Sequence, residues 1–218
     1  MRLLLSLAAA GAAALAGLTP AIPARAGVLE TDSQVFTVSR QHRVRLEFPI
    51  GELRVIPSDD LRVRFDLRIR CRGRTDEHCA ELANKLQLES DDTGNTLSLK
   101  LEGYPKWLRK GFTAMGELRV PRSLAVRIEM GVGQLDVEGL EGDLDVELGV
   151  GQADLRLPRA RMREVSVDTG IGDATIRGGG SETASSRFLG TRVSWSQGRG
   201  PSDVRVHVGV GEGTVRLE

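Results

Sequence analysis

The chain is predicted to be all-β, a β-solenoid or β-roll of short strands stacked coil on coil, and three observations predict it. Five segments, 44–55, 126–137, 144–155, 165–176 and 204–215, each carry apolar residues at four alternate positions, a bend, then two more one step out of phase, with Thr169 in one such place in the fourth copy and Gly213 in the fifth. In the last four the bend is Gly131-Val-Gly133, Gly149-Val-Gly151, Gly170-Ile-Gly172 and Gly209-Val-Gly211. The bends recur at 18 residues and then 21, within the range where a fixed period signals stacked repeats.

Alternation places side chains on opposite faces of a strand, so each copy reads as one buried set. Val126, Ile128, Met130 and Val132 share a face, and Leu135 and Val137 resume it after the phase change. The other copies repeat this with Val150, Ile171 and Val210 at the position of Val132. Such a strand keeps its apolar set inward around a corner. One copy cannot bury its own face, and at least about three must stack to be stable.

From the N-terminus, Arg2, an apolar run from Leu3 to Leu18, and Ala24-Arg25-Ala26 before Gly27 form the pattern of a secretory signal peptide covering residues 1–26. The apolar run is rich in Ala and Gly and shorter than the roughly 20 residues of a spanning helix. A single domain over 27–218 follows. Gln34 to Arg74 alternates as strands, with a turn at Ser58-Asp59-Asp60. Residues 75–88 break the alternation: Thr75 as N-cap, early acids, and Cys79, Leu82, Ala83 and Leu86 at helical spacing predict one short helix. Strands return at Leu97, Leu99 and Leu101, and after a loop holding Tyr104, Trp107 and Phe112 they continue to the end. The 39 residues from Gly170 to Gly209 leave room for a degraded coil at 186–197, with Phe188, Val193 and Trp195 as its apolar remnants, and Leu217 is expected on an exposed edge strand.

The chain has 30 Lys and Arg against 30 Asp and Glu; loss of Arg2 and Arg25 with residues 1–26 leaves a net charge near −2. That balance offers nothing to nucleic acid. Two cysteines in an exported chain favour a disulfide, Cys71 to Cys79, whereas a zinc site wants about four ligands and only His78 is near.

Several clusters are candidate sites. Glu129, Glu147 and Asp168 occupy equivalent outward positions, with Glu47 before and His207 after them, and would form an acidic ladder at the roughly 4.8 Å strand spacing. Such a ladder attracts a hard cation or is a solvated face balanced by arginines such as Arg127. The calcium nonapeptide pattern fails, because Leu135, Ala153, Ala174 and Gly213 stand where aspartate is required. Outward glycines at 131, 149, 170 and 209 would make a smooth strip, or serve the bends alone. Arg62, Arg64, Arg68, Arg70 and Arg72 form a basic stripe suited to phosphate or carboxylate, and Tyr104, Trp107 and Lys110 suit a membrane interface or a sugar face. No nucleophile elbow, zinc-protease motif or phosphate loop occurs, and His42, His78 and His207 stand in three unrelated contexts. Neither an enzyme, a metal nor a cofactor is expected.

The segment Ile50-Gly51-Glu-Leu-Arg-Val55, the Val-Pro-x-x-Leu entry at 120–124 and the copies at 126–137, 144–155, 165–176 and 204–215 resemble the bacterial putative-adhesin family, exported β-strand-repeat proteins of uncharacterised function. The resemblance covers roughly residues 34–217 and implies a β-solenoid or β-roll and an envelope location, periplasm or cell surface. The function expected is a non-enzymatic, adhesin-like binding or structural role, with an envelope polymer, membrane surface or envelope protein as partner. The alternatives are a periplasmic accessory or sensor module on a membrane-protein partner, and, third, a glycan-active enzyme.

Overall fold

The computed structural model describes residues 27–71, 81, 83–104, 112–178, 183–187, 190–196 and 198–218. They are all-β. The strands are β1 (Gly27–Thr37), β2 (Arg43–Ser58), β3 (Arg62–Cys71), β4 (Gln87–Thr93), β5 (Thr96–Glu102), β6 (Phe112–Pro121), β7 (Ala125–Glu138), β8 (Leu144–Leu157), β9 (Met162–Arg177), β10 (Thr183–Arg187), β11 (Thr191–Trp195) and β12 (Ser202–Leu217).

Chain reach dictates how the long strands lie. β7 and β8 are 14 residues each and pair in parallel, Val126 to Leu144 through Glu138 to Arg156. A straight strand of that length spans about 46 Å. The connection 139–143 covers about 18 Å at most. Each strand therefore folds back at its Gly-x-Gly bend, so that its end lies beside the start of the next. Two β layers result, joined along the line of bends, with the apolar side chains between them.

Five bent strands stack in the order β2-β7-β8-β12-β9, every neighbouring pair parallel and in register. Leu46, Ile128, Val146, Val206 and Val167 form one inward row, and Val55, Val137, Leu155, Val215 and Ile176 face it from the other layer. All ten are buried. The N-terminal block extends both layers. β5 and β6 pair with the two arms of β2, β4 pairs β5, and β1-β3 continue from β6; Phe48 and Phe65 pack with ring centroids 6.4 Å apart. The opposite end closes with β10 and β11, each antiparallel to one arm of β9. The sheet does not close on itself.

Four expectations change. The 21-residue step from Gly149 to Gly170 leaves a slot between β8 and β9, and β12 fills it, hydrogen-bonded on both sides. Leu217 is therefore buried and not on an open edge. The described residues of 186–197 supply no bent coil, and Phe188 lies outside them; Thr183–Arg187 and Thr191–Trp195 are the antiparallel closing strands. The predicted helix over 75–88 lies largely outside the described residues. Glu81 and Ala83 are helical, but Gln87 and Leu88 already belong to β4, because Leu88 is buried opposite Leu101 in the sheet. Val132, Val150, Ile171 and Val210, read as inward, are 41–45% exposed, since at a bend the alternation of faces is lost.

Candidate functional site

The line of bends carries a regular surface, in register from β2 to β9. Ile50, Val132, Val150, Val210 and Ile171 lie side by side in register and form a ridge along it. On one flank runs the row Glu47, Glu129, Glu147, His207, Asp168; on the other runs Glu52, Gln134, Gln152, Glu212, Asp173. Between the first row and the ridge, a groove of about 420 Å³ is lined by Glu47, Glu129, Glu147, His207, Gly131, Gly149 and Gly209. At the β2 end a second cleft of about 320 Å³ is lined by Ile50, Tyr104, Phe112, Ala114 and Val132.

The bends explain why glycine stands there. A Cβ on Gly149 would lie 2.6 Å from the Gly131 carbonyl oxygen, and one on Gly151 would lie 1.8 Å from that of Gly133. Gly151 also has a φ of 145°, a conformation open to glycine and strained for other residues. Close stacking of bent backbone requires these glycines before any ligand does.

The acidic ladder of Glu129, Glu147 and Asp168 is real in position but not continuous. Because β12 enters between β8 and β9, His207 separates Glu147 from Asp168 and its Nδ1 lies 2.9 Å from the Asp168 carboxylate. Arginines stand behind the row. Arg127 donates to Glu129, Asp145 and Glu147 at 2.8 Å each, Arg45 to Glu129 at 2.9 Å, and Arg192 to Asp168 at 2.8 Å. The Arg127 hydrogen bond, with Arg45 adding to it, outweighs burial and holds the Glu129 carboxyl below its ordinary range. At Asp168 burial pushes upward, but hydrogen bonds from His207 and Arg192 prevail and the net direction is down. No group of three His, Cys, Asp or Glu among the described residues is arranged to hold a metal ion.

Arg62, Arg64, Arg68 and Arg70 do share the outer face of β3. Asp66 interrupts them, Arg62 and Arg64 both hold Asp60, at 2.9 and 2.5 Å, and Arg70 lies 3.6 Å from Glu52. Arg72, Trp107, Lys110 and Cys79 lie outside the described residues, as does 1–26. Cys71 is buried at the end of β3. Tyr104 is half-buried and donates its hydroxyl to the Ile50 carbonyl, and burial pushes its phenol pKa well up.

One constellation escaped sequence reading. His42 is not isolated: its Nδ1 lies 2.7 Å from Ser39 Oγ and its Nε2 3.3 Å from Asp92. The Ser39 backbone N–H also donates to Nδ1, at 3.1 Å, so Nδ1 is an acceptor and Nε2 carries the proton toward Asp92. These are the residue types of a hydrolytic triad. Ser39 lines neither the groove beside the Glu129–Glu147 row nor the cleft at the β2 end. Ser39, Arg40, Gln41 and His42 form a turn closed by the His42 N–H on the Ser39 carbonyl, and the side chains pin that turn to β4.

Comparison with known proteins bears on the fold. No protein-family model and no curated protein matches the chain. A solved structure from Clostridium sporogenes, named a "putative cell adhesion protein", is similar over 86% of this chain and 99% of its own, with a TM-score of 0.53 at 12% identity. A "putative adhesin" from Parabacteroides merdae matches 60% of this chain and 54% of its own at a TM-score of 0.31 and 9% identity. The first shares this chain's fold.

Proposed function

We propose that the protein is an exported, non-enzymatic, adhesin-like binding or structural element of the bacterial cell envelope, built as one β-solenoid from residue 27 to 218 after removal of residues 1–26. The observation that carries this reading is the in-register apolar ridge with its flanking polar rows: a repeated, solvent-facing strip suits attachment to an extended partner better than turnover of a small substrate. The Clostridium sporogenes structure that shares the fold is named a "putative cell adhesion protein", which agrees with this reading. The five strands β2, β7, β8, β12 and β9 fold back at equivalent points, which supports the solenoid reading, and the closing strands β10 and β11 cover one end of the stack.

In this reading Cys71 and Cys79 are joined, clipping the end of β3 to the segment that follows. A thiol count on the unfolded, unreduced protein is expected to give zero.

The test of the function is co-sedimentation of residues 27–218 with peptidoglycan sacculi and with outer-membrane vesicles at low and high salt. Pelleting with either supports an envelope role. Recovery in the supernatant throughout, with a membrane protein captured instead, would favour the accessory-module alternative.

A further inference from the structure

Among the described residues the ridge departs from an ordinary protein surface. Val132, Val150, Val210 and Ile171 are four of the six large hydrophobic residues exposed among the described residues, and they are consecutive rungs of one ladder. With Ile50 they extend over about 19 Å at the spacing of neighbouring strands. Scattered exposed apolar residues need no explanation, whereas a contiguous apolar strip rimmed by polar residues marks an interaction site.

Charge identifies the occupant. The carboxylates stand next to the ridge: Glu47, Glu129, Glu147 and Asp168 on one flank, Glu52, Glu212 and Asp173 on the other. The arginines that balance the first flank come from one step farther out, as Arg45 and Arg127, or from the closing strand, as Arg192. On the second flank Glu212 receives a hydrogen bond from Gln152 at 3.4 Å, and no salt bridge to Glu212 or Asp173 is formed with the described residues. A second copy placed ridge to ridge would set carboxylate row against carboxylate row, which costs affinity. An anionic lipid surface meets the same repulsion. A sugar polymer finds no aromatic face along the ridge, which is aliphatic; Tyr104 and Phe112 line a cleft only at its β2 end.

We propose that the line of bends is the docking site for a basic polypeptide segment bearing apolar side chains, whose lysines or arginines reach the two carboxylate rows while its apolar groups cover Val132, Val150, Val210 and Ile171. The groove is lined by Gly131, Gly149 and Gly209, with Pro49, Met130 and Leu148 also along it, and the glycines let that segment approach the backbone closely at those three rungs. This names a partner class for the envelope-binding reading and rests on it.

The test titrates residues 27–218 with a labelled synthetic peptide alternating lysine and leucine, and with a lysine–serine counterpart, following fluorescence anisotropy at low and high salt. Binding of the leucine peptide that weakens with salt and is at least about tenfold tighter than that of the serine peptide is expected. Val132→Ser, Val150→Ser and Val210→Ser together should weaken it about tenfold or more, and Glu212→Lys with Asp173→Lys severalfold. Val→Thr at the same three ridge positions keeps the branched shape, guards against loss of the fold, and should weaken binding in the same direction. Equal affinity for the two peptides, undiminished binding by the ridge variants, or no binding at all overturns the proposal. A protein that pellets with sacculi yet ignores the peptide retains the envelope role and loses this site.

Discussion

The parallel stack β2-β7-β8-β12-β9 and the N-terminal block of β1 and β3–β6 share one continuous core but reach it by opposite means. In the stack each strand repeats its neighbour residue for residue, so rows of Val, Leu, Ile and Ala fill the interior and every bend must nest in the one before it. In the block, antiparallel pairs, a bulge between Glu30 and Asp32, and Phe65 packed against Phe48 of the stack fill a less regular space. Repetition makes the stack intolerant of any added atom at its bends. Irregularity lets the block absorb change at its turns and concentrates its stability in a few large side chains.

Glycine substitutions give the largest separation between the two regions. Gly151→Ala places a Cβ 1.8 Å from a backbone oxygen that neighbouring coils hold fixed, at a φ of 145°. We expect a loss of about 4 kcal/mol or more, enough to abolish a cooperative melt followed by circular dichroism. Gly94→Ala in the β4–β5 turn has a φ of 66° with nothing within 4 Å of the new Cβ, and is expected to cost about 1 kcal/mol. Similar melts for the two variants would show that the bends can move apart, against the nested packing.

Removal of a large side chain tests whether the regions also open separately. Phe65→Ala empties a fully buried position and should cost about 3–5 kcal/mol. Hydrogen exchange is expected to rise in β1, β3 and β6 and to stay slow in β8 and β12, which are paired on both sides. A uniform rise would mean that the shared core unfolds as one unit and the contrast is geometric only.

The same contrast governs what could be read without coordinates. The stack announced itself because its period, its alternation and its glycines all encode one local geometry, repeated. Four things were illegible for identifiable reasons. That β12 inserts between β8 and β9 is a long-range choice between nearly identical edges, and it surfaces only as the step of 21 residues in place of 18. The outward turn of Val132, Val150, Val210 and Ile171 follows from where within Gly-Val-Gly the chain turns; bends at the first glycine and at the second leave the same alternation on either side. The acidic ladder was legible in membership and not in order, so the His207–Asp168 contact was hidden by the same insertion. Ser39 and Asp92 are 53 residues apart, and no periodicity joins them.

Electrostatic changes should be smaller and should fall mostly on the stack, where rows of charge are in register. Arg127 bridges three carboxylates from two neighbouring strands, and Arg127→Ala leaves Glu129, Asp145 and Glu147 facing each other. A loss of about 1 kcal/mol is expected at low salt, declining as salt screens both the lost attraction and the new repulsion. In the N-terminal block, Arg119→Ala removes contacts with Asp66 and Glu117 and is expected to cost less, as it connects fewer charges.

The smallest effect has a sign that separates two carboxylates of the stack. Asp168 is held below its ordinary range in the folded chain, so its contribution is present above the unfolded carboxylate pKa and is lost as pH falls through the lower folded value; Asp168→Asn should therefore destabilise at neutral pH and converge with wild type in acid. Asp136 is shifted the other way, first by burial and then by Asp154 beside it in register. Its ionised form opposes folding above the raised folded value, and protonation relieves that cost as pH falls through it. Asp136→Asn is accordingly expected to stabilise the protein at neutral pH by less than about 1 kcal/mol, with the gain disappearing in acid, as read from melting temperature against pH. A destabilised Asp136→Asn variant would mean that Arg54 and Arg156, the opposing charges nearby, outweigh burial at this position, and that the outer face of the second layer is held by ion pairing as firmly as the first.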